Sequence, residues 1–169
     1  KSKKKLFSTY TFITKKKKKF KKKKKINMCG IIGISSNKSV SANIVNSLKK
    51  LEYRGYDSAG IATLSDGKIN EFKSEGRVDK LEQNFDLKNL KGNIGIGHVR
   101  WATHGMPNSV NAHPHSSFNV SVVHNGIIEN STVLKKHLVE QGHNFKSQTD
   151  TEVIVHLITE NLKTKDFEV

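Results

Sequence analysis

From residue 28 onward, short apolar runs alternate with polar turns in a pattern that predicts a mixed α and β domain. The run "CGIIGIS" (29–35) carries two glycines and reads as a buried strand that another backbone approaches closely. In "SVSANIVNSLKKLEYRG" (39–55), Val40, Ile44, Leu48 and Leu51 recur at helical spacing, with Gly55 as the expected stop. "SAGIATLSDGKINEFKS" (58–74) predicts two strands around an Asp66-Gly67 hairpin turn. A weaker helix is expected in "RVDKLEQNF" (77–85) and a strand in "GNIGIGHVR" (92–100).

The next stretch, "WATHGMPNSVNAHPHSS" (101–117), breaks the periodicity and holds both prolines of the chain. It predicts a long polar loop, and long loops within compact domains tend to be functional. "NVSVVHN" (119–125) returns as a strand. A helix follows through "TVLKKHLVEQG" (132–142), capped by Asn130 or Ser131 and ended by Gly142. In "TDTEVIVHLITENL" (149–162), Thr149 and Glu152 match a capping box. Asp150 falls in the first turn, and Val153, Leu157 and Ile158 share one face. There is no internal repeat. Strands and helices do not alternate as regular βαβ units, so the expected class is α+β with a mainly antiparallel sheet.

Composition changes the picture in one place. Of 169 residues with a formal net charge of +15, the first 27 hold 14 lysines and no acid; the remainder carries 16 basic against 15 acidic residues. The basicity thus belongs to a tail, and like charges in blocks repel and stay solvated. A polybasic nucleic-acid or membrane binder is the alternative that this tail alone would support. It explains none of the motifs downstream. The tail lacks the small-residue cleavage site of a secretory signal and the arginines of a mitochondrial presequence. Its 21 residues of Lys, Phe, Ile, Asn and Tyr are types encoded mostly by A and T. The expectation is that residues 1–27 are an upstream reading-frame extension and that Met28 is the start. A lone cysteine cannot form an intramolecular disulfide, which points to a reducing, cytoplasmic compartment.

Candidate chemistry gathers around Cys29. With Met28 removed, Cys29 would carry a thiol nucleophile beside an α-amine of pKa ~7.7–8.0, a general base near working pH. The bland alternative is a buried structural cysteine. Arg100 offers bidentate carboxylate binding, Thr103 and His104 hydrogen bonds, and Trp101 an aromatic wall. Asn125 and Gly126 at a strand end can converge on an oxyanion or form a plain turn. Asp150 is either a helix-terminus residue or a partner for a substrate ammonium. His113 and His115 alternate on one face, but nothing nearby completes a metal site, and no metal or cofactor is expected.

Taken in order, "MCGIIGI", "LEYRGYDSAGIA", "RWATHG", "NAHPH", "VVHNGIIEN" and "TDTEVI" resemble the N-terminal glutaminase domain of the glutamine–fructose-6-phosphate aminotransferases, the glucosamine-6-phosphate synthases. These are class II glutamine amidotransferases of the N-terminal-nucleophile hydrolase group. The resemblance covers nearly all of residues 28–162. A related branch acting on phosphoribosyl pyrophosphate shares part of these motifs and is the alternative within the group.

The resemblance implies an αββα sandwich. It also implies that Cys29 forms a glutamyl thioester, with Asn125 and Gly126 as the oxyanion hole. Arg100 would clamp the glutamine α-carboxylate and Asp150 the α-ammonium. Trp101, Thr103 and His104 would line the pocket, with Arg54 beside the nucleophile. It further implies glutamine and, through a C-terminal sugar-isomerase domain, fructose 6-phosphate as substrates, and a homodimer, with no nucleic acid or membrane partner. Two departures stand out. A 27-residue extension would lock the Cys29 α-amine in a peptide bond and leave the chain inactive. The glutaminase domain, 28–169, is shorter than the family's, and the isomerase domain is missing. Val99 stands where the family often has Thr.

Overall fold

A computed structural model of the chain describes residues 28–87, 90–102 and 105–164. The lysine-rich tail lies outside them. β1 (Gly30–Ser35), β2 (Ser58–Ser65), β3 (Lys68–Glu75) and β4 (Ile94–Arg100) form one antiparallel sheet in the order β1-β4-β2-β3. β5 (His115–Ser117) and β6 (Val120–Val122) form a separate two-stranded ribbon. The helices are α1 (Ser41–Leu51), α2 (Val78–Asn84), α3 (Ser131–Glu140) and α4 (Glu152–Thr164).

The register of β4 divides the sheet into two unlike faces. Gly95 and Gly97 turn towards α1, where an added Cβ would come within 2.7 and 2.5 Å of Ile44. These glycines let the helix settle directly on the strand. Around them Val40, Ile44, Val45, Leu48, Ala59, Ile61, Val78, Leu81 and Val99 form the apolar core, with Phe72 and Phe85 in ring contact at its α2 end. Lys49 joins α1 to α2 through Asp79 at 3.2 Å and Glu82 at 2.5 Å.

The opposite face carries His98 and Arg100. Against it lies the segment leading into the β5–β6 ribbon. The His113 carbonyl sits so close to Gly60 that a Cβ there would collide with it. Lys73 of β3 donates to the Pro114 carbonyl at 3.2 Å, and Ser116 of β5 to Glu71. α4 packs on the ribbon and α3 on α4. The layers therefore run helices, sheet, ribbon, helices, in agreement with the expected αββα arrangement.

Several expectations about local structure need correction. β1 is an edge strand, flanked by β4 alone, and one of its faces is exposed at Ile31, Gly33 and Ser35. α1 ends at Leu51, before Gly55. Gly55 instead admits the backbone of Arg100 and Trp101, which a Cβ would meet at 2.6–2.8 Å. The Asp66-Gly67 turn is as expected, with both residues at positive φ (51° and 72°) and Ser65 paired to Lys68. Residues 115–117, read as loop, form a strand because they pair with 120–122, the only part of "NVSVVHN" that is strand. Neither Asn130 nor any other N-cap side chain bonds the start of α3, while Gly142, at φ 89°, does follow its end. The capping box does not form: the Glu152 carboxylate turns back to the Lys146 and Ser147 amides at 2.9 and 2.7 Å. Asp150 precedes α4 rather than lying in its first turn. The buried face of α4 is Val153, Val155, His156 and Thr159, with Ile158 exposed, because the helix is clasped between ribbon and α3.

Candidate functional site

Cys29 immediately precedes β1 and continues its alternation, so it lies on the same sheet face as His98 and Arg100. Its thiol sits against the backbone of Trp101: the Trp101 amide donates to Sγ at 3.3 Å, and Sγ donates to the Trp101 carbonyl at 3.6 Å. The Cys29 carbonyl accepts from Arg54 Nε at 3.0 Å and from Asn125 Nδ2 at 3.3 Å. Burial pushes the thiol pKa up, with the Asp57 carboxylate adding to the rise and the Trp101 backbone contact and Arg100 opposing it. As it stands, this thiol needs a base to become a nucleophile.

A cavity of about 170 Å³ opens beside Sγ. Met28, Cys29, His98, Arg100 and Trp101 line one side of it. His113, the turn His124–Ile127 and the segment Thr149–Thr151 line the other. Cys29, Arg100, Trp101, Asn125, Gly126 and Asp150 thus border one space. Arg54 stands behind the nucleophile, with its carbonyl accepting the Met28 amide at 2.9 Å. Thr103 and His104 lie outside the described residues.

Each wall is held by identifiable contacts. Arg100 is 5% exposed and donates to the Gly105 and Met106 carbonyls, both at 3.4 Å, with the Asp57 carboxylate 4.0 Å away. Asp57 also accepts the Ala102 amide and, at 2.9 Å, the Ser58 hydroxyl. Burial raises its pKa against these hydrogen bonds and the Arg100 charge. Tyr56 meets Trp101 edge-on at 5.9 Å. Asp150 accepts the Ile128 amide at 2.6 Å, which joins the 149–151 segment to the 124–128 turn. Asn111 is almost fully buried and donates to the Met106 carbonyl at 2.9 Å and Gln148 Oε1 at 3.1 Å, while accepting the Gln148 amide at 2.8 Å.

Three imidazoles back the cavity. His98 stacks on His113 at 4.3 Å, and His113 meets His115 edge-on at 4.7 Å. His113 Nδ1 accepts the His124 amide at 3.3 Å, and His115 Nε2 bonds Thr149 Oγ1 at 2.8 Å. Burial lowers all three pKa values, helped by neighbouring cations, to about 3 for His98 and about 4 for His115. All three are therefore neutral near pH 7. Among the described residues neither ring nitrogen of His98 has a hydrogen-bond partner within bonding geometry, although the His124 backbone lies near enough to oppose the fall in its pKa. No group of His, Cys, Asp and Glu among the described residues is arranged to hold a metal ion.

Sequence reasoning missed His98, Asp57, Asn111 and His124 as parts of this site. Asp57 lies inside "EYRGYDSAG" and His98 one pleat before Arg100, so both were legible only once the strand register was known.

Residues 86–164 match the family model described as glutamine amidotransferase domain. The chain is 58% identical over 144 residues to the glutamine–fructose-6-phosphate aminotransferase [isomerizing] of Pyrococcus horikoshii, covering 83% of this chain and 24% of that protein. It is 54% identical over 137 residues to the enzyme of the same name from Bartonella henselae, covering 81% of this chain and 23% of that one. The chain belongs to the glutamine amidotransferase family. Its fold agrees: the glutamine phosphoribosylpyrophosphate amidotransferase of B. subtilis, complexed with ADP and GMP, superposes with a TM-score of 0.66 at 34% identity, over 82% of this chain and 30% of that one. The structure of the allosteric regulatory enzyme of purine biosynthesis gives 0.67 at 33% identity, with the same coverage. The amidotransferase chain spans about a quarter of the length of its curated relatives. Among its described residues no helix is long and apolar enough to cross a membrane.

Proposed function

We propose that this amidotransferase domain hydrolyses the side-chain amide of glutamine and supplies ammonia for converting fructose 6-phosphate to glucosamine 6-phosphate. The observation that carries the reading is the meeting of Cys29, Arg100, Asn125, Gly126 and Asp150 around one small cavity. A zwitterionic amino acid needs one cation and one anion at its α-carbon, and Arg100 and Asp150 supply them. Trp101 walls the pocket and Arg54 braces the nucleophile; the part given to Thr103 and His104 in glutamine binding rests on their motif alone.

In this reading Met28 is removed. Its loss frees the Cys29 α-amine and clears a residue that lines the cavity. The amine takes the thiol proton, and Sγ attacks the amide carbon. Asn125 Nδ2 and the Gly126 N–H hold the oxyanion. The amine's proton passes to the leaving nitrogen, ammonia departs, and water then cleaves the thioester to glutamate. Residues 1–27 have no part in the working enzyme, whose remaining portion is a sugar-isomerase domain that receives the ammonia. The enzyme is cytoplasmic and homodimeric, and its substrates are glutamine and fructose 6-phosphate.

The test is ammonia release from glutamine by the protein started at Met28 and extended to full length, with N-terminal sequencing of the same sample. An N-terminal Cys29 and complete loss in Cys29→Ala are the expected results. Full activity with the lysine tail retained would overturn the role of the α-amine. Phosphoribosyl pyrophosphate is the acceptor of the related branch. The 54–58% identities to the sugar-phosphate enzymes, against 33–34% to the solved amidotransferases, favour fructose 6-phosphate. Supplying each acceptor in turn distinguishes them.

A further inference from the structure

Asn125 is half of the proposed oxyanion hole, yet it sits on an exposed turn, where a side chain is ordinarily free to wander. What fixes that turn from below is His113. Its ring is clamped between His98 on one face, at 4.3 Å and 28° from parallel, and the edge contact with His115 at 4.7 Å. Its carbonyl is pressed over Gly60 in the middle of β2, which leaves its backbone no room to shift towards the sheet. From this rigid seat Nδ1 accepts the N–H of His124, the residue immediately before Asn125. The far side of His124 is tied by its own ring to Thr151 Oγ1 at 3.2 Å.

An amide N–H donates only to an unprotonated nitrogen, so this contact fixes the tautomer: Nδ1 is the acceptor and the ring proton sits on Nε2. Burial keeps the ring neutral, as that contact requires. Deleting the acceptor would remove the bond that holds the His124 amide in the cavity wall, and the turn would shift as that amide moved to another partner such as the neighbouring His98 ring.

We propose that His113 is a positioning residue for the amidotransferase reaction, setting Asn125 against Cys29 through the His124 amide. The inference rests on the function proposed above. His113 touches no reacting atom in this account. Its effect passes through Asn125, so it belongs to turnover rather than to glutamine binding.

The experiment uses the full-length enzyme started at Met28, with kcat and KM for glutamine referred to the fraction of Cys29 that titrates with a thiol reagent. Three replacements of His113 separate the possibilities. Asn places an acceptor near the Nδ1 position, Gln places it near Nε2, and Leu supplies none. His113→Leu and His113→Gln are expected to lower kcat by about tenfold to a hundredfold, within the range for a misplaced oxyanion donor, with KM near wild type. His113→Asn is expected to recover most of the loss. In the Asn125→Ala background the same replacements should cost little more, because the donor they position is gone. Equal loss in Asn and Gln variants, a rise in KM instead of a fall in kcat, or an undiminished cost beside Asn125→Ala would overturn the proposal. Should His113→Leu fail to fold, the Asn and Gln pair still decides it. A wild-type enzyme that releases no ammonia would overturn the functional reading itself and take this inference with it.

Discussion

The two faces of the four-stranded sheet are built from the same strands by opposite means. Towards α1, β4 offers Gly95, Gly97 and Val99, and stability comes from close approach of aliphatic groups. Towards the ribbon it offers His98 and Arg100, and order comes from directional contacts among polar groups that burial keeps neutral or paired. The first face tolerates exchange of one apolar group for another of equal volume. The second depends on which atom donates and which accepts, so the face that borders the candidate site is the less forgiving.

If that division is real, damage to the two faces should be separable. Ile44→Ala on the helix face is expected to cost about 2–5 kcal/mol of unfolding free energy, since Ile44 is fully buried over two glycines. Glutamine hydrolysis per titratable Cys29 should stay close to wild type, and chemical denaturation with active-site titration reads both numbers. Asn125→Ala should do the reverse. It is expected to lower kcat by about 10²–10³ while leaving KM and the unfolding midpoint almost unmoved. An unchanged kcat would remove Asn125 from the oxyanion role.

Gly97→Ala tests the helix face from the other direction, by adding a group instead of removing one. Its new methyl meets Ile44 Cγ2 at 2.5 Å, so about 1–3 kcal/mol of overpacking is expected in thermal melts. The smallest effect concerns the thiol on the chain that retains Met28. The Cys29 pKa is raised, so the thiolate forms at higher pH than in free cysteine, and alkylation should accelerate only as pH climbs past the ordinary thiol range. Asp57→Asn removes a charge that contributes to the rise, so it should move the inflection to lower pH. A profile matching free cysteine would contradict the burial of this thiol.

The helix face was nearly all legible in advance because its signals are local. Val40, Ile44, Leu48 and Leu51 announce α1 by spacing alone, and Asp66-Gly67 fixes the β2–β3 register through its turn geometry. The site was legible in part, through motifs that match a known family. What motifs could not reveal was support between segments distant in sequence. Asp57 meets Ala102, His113 meets His98 and His124, and Asn111 meets Gln148 only because the sheet folds them together. Local rules failed for the same reason. Glu152 abandoned its capping box for the Lys146 and Ser147 amides, and Gly55 served a backbone crossing rather than a helix end.

The alternation along β4 also gives the molecule a way of checking itself. A slip of one residue would drive His98 and Arg100 into the aliphatic layer and present glycines to the cavity. Such a chain would lose its packing and its reactive centre in one error. In register, though not in side-chain composition, neither face can be wrong while the other is right, so a thiol that reacts with a glutamine analogue doubles as a certificate that the strands were threaded correctly.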